Sequence, residues 1–354
     1  MIYFKSFSGL CKAKAGALLV FLSLIFISDS KAQTIDSIAE RMLIYQRSSG
    51  GWPKAINEKK IIYENKISRE QLQQIRSTVN ENDGTFDNKA TSREIRYLIS
   101  AFKLTGNEKY FQAAQKGIDF IFAAQYENGG WPQYYPDKRL YRAQVTFNDD
   151  AMVNILNILQ DIAENKGDYS VFEDAYIKKA NAAISKALTC IVKSQITVGG
   201  KLTAWGSQYD EKTLTPAKAR AFEPVSITSS ESVGIARFLM RIKNPSDEIK
   251  TAIIAAVKWF DEVKIVGFNT KRVEDTNLPK GFDLILVEDP ANVFWARFYD
   301  LKTQEPIFSD RTEILRKRIS EIEYERRVGY SWYGIWPEKL ITKEFPNWRR
   351  LNNI

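Results

Sequence analysis

The chain has no histidine among its 354 residues. That absence removes the commonest general base, the commonest zinc ligand and every serine–histidine arrangement. Cysteine is nearly absent too. Cys11 lies in the amino-terminal segment, upstream of its apolar run, where it argues against a lipid anchor; Cys190 is then alone and no intrachain disulfide forms. Long hydrophobic runs are missing except for Ala15–Ser28, which is too short for a spanning helix. Lys5, Lys12 and Lys14 precede that run and Ser30-Lys31-Ala32 follow it. A basic start, an apolar centre and small residues at the cut identify residues 1–32 as a secretory signal. The expected product, residues 33–354, is exported to the periplasm or beyond. No Pro/Ser-rich linker divides it, so it reads as one domain.

Charge is only mildly one-sided. The whole chain carries a formal +8, and the leader holds four lysines and one aspartate, leaving about +5. Such a balance favours an acidic partner without naming one. Neither nucleic acid nor membrane is expected to bind the processed chain, and a monomer is expected.

What is present is helical periodicity. Ile95, Leu98, Ile99 and Phe102 form one stripe that ends at Gly106, and four later segments repeat the pattern. Strand-like runs are few, FDLILVED from Phe282 being the clearest. The helices also end alike. Gln46 leads to Gly50-Gly51-Trp52, Gln125 to Gly129-Gly130-Trp131, and Gln195 to Gly199-Gly200 with Trp205 close behind. The glycine pair is expected to stop each helix in a left-handed turn. Repeated helix pairs with loops gathered at one end predict an all-α fold, either an (α/α) toroid or a helical solenoid, with long loops and a few short strands. Trp131, Tyr134 and Tyr135 with Gln133 form a loop whose flat rings suit either core packing or a sugar ring.

Two helix starts are rich in oxygen ligands. NDGTFDNKAT holds Asp83, Asp87 and Asn88; VTFNDDAMV holds Asn148, Asp149 and Asp150. Capping needs one such residue per helix, and each segment has more. Oxygen donors without His or Cys suit a hard cation such as calcium, although the spacing is not that of an EF-hand. Further on, Trp205, Gln208, Asp210, Lys218, Arg220 and Glu223 share a loop, and Arg297 and Arg311 lie downstream near aromatics. Arginine forks suit carboxylates.

The ordered set GGWP, TFDNKAT, QYENGGWPQYYP, TFNDDAM, TAWGSQYD, PAKARAFEP, SSESVGI, WARFYD and EYERRVGYSWYG resembles the catalytic module of family 10 pectate lyases over roughly residues 35 to 340. The resemblance implies a toroid of about three helix pairs that cleaves polygalacturonate, an acidic polysaccharide, by calcium-assisted β-elimination. It further implies that Asp87 and Asp149 bind Ca2+ and that Arg220 is the catalytic base. Arg311 would hold a substrate carboxylate. Asn88, Lys218, Trp131, Tyr134, Tyr135 and Gln208 complete the expected substrate-binding set. The chain departs from the family pattern near these residues. Lys89 stands where glycine usually follows the Asp-Asn pair, and Lys218 where tryptophan is common. Gly206-Ser207-Gln208-Tyr209 replaces Cys-Ala-Gln-His, and Arg311-Thr312-Glu313 replaces Arg-Asp-Gly. Two other readings stay open: an inverting glycoside hydrolase using Asp150, Asp210 or Glu223, and a pectin-binding module without catalysis.

Overall fold

The computed structural model describes residues 35–354; the expected secretory signal lies outside the described residues. The helices are α1 (Ser37–Tyr45), α2 (Arg69–Ser77), α3 (Ser92–Thr105), α4 (Glu108–Ala124), α5 (Ala151–Ala163), α6 (Asp174–Ser194), α7 (Ser229–Arg241) and α8 (Asp247–Glu262), followed by short carboxy-terminal helical segments. Three successive pairs, α3/α4, α5/α6 and α7/α8, pack within themselves, while α3 lies on α5 and α5 on α7. This is the (α/α) toroid of three helix pairs. The apolar stripe of α3 (Ile95, Leu98 and Ile99) is buried, as are Ile155, Leu156, Ile158 and Leu159 of α5. No described helix is long and apolar enough to cross a membrane.

The repeated Gln…Gly-Gly…Trp segments join the pairs through hydrogen bonds. Gln46 Nε2 donates to the carbonyls of Gly50 and Ala113. Gln125 Nε2 donates to those of Gly129 and Ala183, and Gln195 Nε2 to those of Thr203 and Ala252. Each glutamine therefore ties its own loop to a following helix: α4, α6 and α8 in turn. The helix stop is the glutamine itself, an extended C-cap with ψ near 130° in each case, rather than the glycine pair. Gly50 and Gly129 are needed for another reason. Their φ values are 100° and 93°, and an added Cβ would lie 2.4 Å from the Lys116 carbonyl oxygen or 2.1 Å from that of Lys186. The loop lies directly against α4 in the first case and α6 in the second, and only glycine fits there.

The tryptophans are repeated in the same way. The indole N–H groups of Trp52, Trp131 and Trp205 donate to the carbonyls of Met42, Ile121 and Ile191. Their own carbonyls accept from the backbone N–H groups of Thr85, Thr146 and Thr228. Those threonines sit just before α3, α5 and α7, so each buried ring fixes where the next inner helix begins.

Strands are mostly two-residue pairings. One hairpin is longer than the short strands expected: Ile265–Glu274 pairs antiparallel with Phe282–Ala296, and FDLILVED lies inside it. A second small core joins Phe222 to Phe298, Ile307, Phe308, Ile319, Ile322 and Trp332 of the carboxy-terminal third.

Candidate active site

The turns before α3 and α5 are copies of one another. In Thr85-Phe86-Asp87-Asn88-Lys89-Ala90 and Thr146-Phe147-Asn148-Asp149-Asp150-Ala151, the phenylalanines are buried and the polar triplets form a 3-10 turn. The middle residues Asn88 and Asp149 take left-handed φ values of 50° and 52°, which Asn and Asp tolerate best among non-glycine residues. By position, Asp149 corresponds to Asn88 and Asp87 to Asn148. The two aspartates are therefore not equivalent halves of a symmetric pair. No side chain caps α3 or α5, so the capping explanation for these acids does not hold.

The turns preceding α3 and α5 and the first turn of α7 converge on a recess of about 380 Å³ bordered by Asn88, Lys89, Asp149, Asp150, Glu231 and Arg297. Helix N-termini carry partial positive charge and favour anions. Arg297, only 11% exposed at its side chain, makes an ion pair with buried Glu231 and lies 3.9 Å from Asp149 Oδ1. Arg297 Nε and Glu231 Oε2 are buried with no hydrogen-bond partner among the described residues. Burial raises the Asp149 carboxyl above its ordinary value, Asp87 adds to that, and Arg297 opposes it. Asp150 is pushed up to about 6, first by burial and then by Glu231 and Asp149. The residue as a whole is exposed, but its carboxylate is tucked against α7, where a Cβ on Gly234 would come within 2.2 Å of Oδ1. Asp87 is 4% exposed and makes an ion pair with Lys54.

Arg220 lies in the same electrostatic neighbourhood and influences Asp149. Its Nε donates to Glu223 Oε2 at 2.7 Å, its Nη2 to the other carboxylate oxygen. Glu223 is 2% exposed and also accepts from the Tyr330 hydroxyl at 3.1 Å and from Asn148 Nδ2 at 3.5 Å. Burial works against the Arg220 charge, but the bonds and charge of Glu223 outweigh it and hold the guanidinium above its ordinary value. Arg220 and Arg326 both lie over the Phe222 ring, 5.0 and 4.5 Å from its centroid.

The other expected site residues are scattered. Trp131 is 0% exposed and is corrected to a core residue, since a ring with no free face cannot stack on a sugar. Gln208 is 1% exposed, and its Nε2 donates to the Tyr141 carbonyl at 3.3 Å; it too faces the interior. Tyr134 is 8% exposed, with Lys54 and Arg142 at 5.9 and 4.5 Å from its ring centroid. Tyr135 is half-buried and packs edge-on against Phe120. Lys218 pairs with Glu313 at 2.6 Å. Arg311 is exposed, pairs with Glu325 at 3.3 Å, and does not line the recess; the arginine that does is Arg297. Asp210 is occupied by its own turn, accepting from the Lys212 and Thr213 N–H groups at 3.0 and 2.8 Å. Lys54 and Glu231 were not expected as site residues, and Arg297 stood out only as an arginine near aromatics, the carboxylate-binding role being expected of Arg311. Their signal was available in GGWPK, SSES and WARF, each of which places a charge beside a repeat landmark.

Comparison with known proteins agrees with this architecture. The pectic acid lyase family model matches residues 46–341. Two structures of a family 10 polysaccharide lyase from Cellvibrio cellulosa superimpose with a TM-score of 0.76 at 33% identity over 89% of this chain. The match spans 92% of one of them, an aspartate-to-alanine mutant in complex with trigalacturonic acid, and 91% of the other. None of the curated proteins compared with the chain matches it in sequence. With the family model covering most of its length, the chain belongs to the pectic acid lyase family.

Proposed function

We propose that the chain cleaves polygalacturonate by β-elimination at the recess bordered by Asp149, Glu231 and Arg297, with Asp87 and Arg220 beside it. One observation carries this reading: carboxylates from two separate repeats, neither used for capping, lie together with the buried Arg297 guanidinium and the more exposed Arg220. In the reaction, the proton on C5 of a galacturonate residue is removed, its electron pair forms the C4–C5 double bond, and the C4–oxygen bond breaks. The departing oxygen then takes a proton. Negative charge grows on the carboxylate next to C5, and Arg297 is placed to face it. Arg220 is the residue proposed to take the C5 proton. In the free protein Glu223 holds its guanidinium charged, so the pair must open before Arg220 can act as a base.

The residues fit a hard cation. Their donors are carboxylate oxygens, and the Asp149 carboxyl is raised partly because Asp87 is near. Asp87 and Asp149 would hold a calcium ion, which when bound would neutralise the uronate carboxylate and stabilise the charge developing there. Among the described residues no three acidic side chains gather to hold a metal unaided. Water and the uronate itself would supply the other oxygens.

The experiment is digestion of polygalacturonate followed in the ultraviolet. The expected result is an absorbing unsaturated product that disappears with a chelator and returns with added calcium. New reducing ends without that absorbance would show hydrolysis and overturn the reading.

A further inference from the structure

Lys89 is a lysine in a backbone conformation that suits glycine. Its φ is 64°, in the left-handed region that non-glycine side chains disfavour. The twin turn before α5 has the same left-handed backbone at Asp150, φ 57°, so the conformation belongs to the turn. The Lys89 ammonium acts on the Asp150 carboxylate only through space, and among the described residues its side chain forms no hydrogen bond or ion pair. The side chain borders the recess that holds Asp149, Asp150 and Arg297. It also borders a second, open cleft of about 470 Å³ along α3 and α5, lined by Ser92, Arg93, Arg96, Tyr97 and Asn154. Lys89 is thus the residue where the two clefts meet. The other cations of the second cleft are already engaged, Arg93 with Glu94 and Arg96 with Asp161.

We propose that Lys89 is a specificity-determining residue: its ammonium binds the carboxylate of a second uronate, seated in the cleft along α3 and α5 beside the uronate in the recess. This rests on the polygalacturonate reading. The reasoning is that a cation with no hydrogen-bonded partner, bordering both clefts where they meet, is free to take an anion that arrives with the ligand. A polyuronate carries such an anion on every ring. A methyl-esterified ring would offer Lys89 no charge, so the residue selects for demethylated chain at this position.

The test compares wild type with Lys89→Gly, which relieves the backbone and is expected to fold. Calorimetry would measure binding of trigalacturonate and of its fully methyl-esterified form, with chelator present to suppress turnover. Removing one charge-assisted contact should weaken binding of the acid by about tenfold and leave the ester unaffected. Lys89→Arg should keep most of the affinity for the acid. In turnover assays with calcium, KM should rise more than kcat falls. Equal affinity of wild type and Lys89→Gly for the acid overturns the proposal, as does an equal loss for the ester. A wild type that binds the acid through Lys89 but forms no unsaturated product would instead overturn the lyase reading alone.

Discussion

Arg220 presents a conflict at the scale of a single residue. A base must be able to lose its proton, yet the bidentate bond to buried Glu223 favours the charged guanidinium. The sign of the conflict makes it testable. Glu223→Gln removes the negative charge that raises Arg220. If Arg220 accepts the C5 proton, the rising limb of the pH–rate profile moves to lower pH. If Arg220 acts only as a positive charge, the rate falls and the limb stays in place. The profile of kcat/KM across pH separates the two. Arg220 was recognisable in the sequence because it sits among apolar residues, where a purely solvated charge would be out of place. Its dependence on Glu223 was not, because a glutamate three positions on, past Ala221 and Phe222, does not reveal a side chain that folds back. Trp131 failed for a related reason. An aromatic beside glycine and proline looks alike in a loop over sugar and in a loop folded into the core, and only the indole bond to Ile121 distinguishes them.

Among the elements, α7 sets helix propensity against a neighbouring side chain. Glycine inside a helix normally makes it weaker than alanine by about 1 kcal/mol, so Gly234→Ala should stabilise an isolated helix. Here a Cβ would run into the Asp150 carboxylate. Because that carboxylate is the tip of an exposed side chain that can turn aside, the clash should offset the propensity gain and leave stability within about 1 kcal/mol of wild type, while the displaced Asp150 reduces activity. Chemical denaturation measures the first effect, and a variant stabilised by the full propensity difference with unchanged activity would contradict the assignment. Most elements could be read from the chain: the inner stripe of α3 and the three Gln…Gly-Gly repeats follow directly from spacing. The role of the glycine pair was misread, since a left-handed glycine after a helix has the same signature whether it caps that helix or makes room for its neighbour. The long hairpin was only half visible, because Ile265–Glu274 mixes charged and apolar residues without strict alternation.

For the whole molecule, the proposed calcium ligands belong to different repeats, so occupancy should stabilise the entire domain. Millimolar calcium is expected to raise the melting temperature by a few degrees, on the order of what binding well above Kd provides, and Asp149→Ala should abolish the shift. Scanning calorimetry with and without chelator decides this. Without metal, pH should matter with a definite sign. Asp150 titrates near 6 in the fold, above the roughly 4 of an unfolded aspartate. The folded state therefore binds more protons between those values, and this residue's contribution to stability declines as pH rises through them. A stability that instead rises through that window and is unchanged in Asp150→Asn would refute the raised carboxyl.

The recess takes one edge from each of three successive repeats, which has a consequence for biosynthesis. A chain interrupted after α6 already possesses Asp87 and Asp149, but Arg220, Glu231 and Arg297 have yet to be made. Partial products would thus be inert, and cutting power would arrive only with the finished molecule.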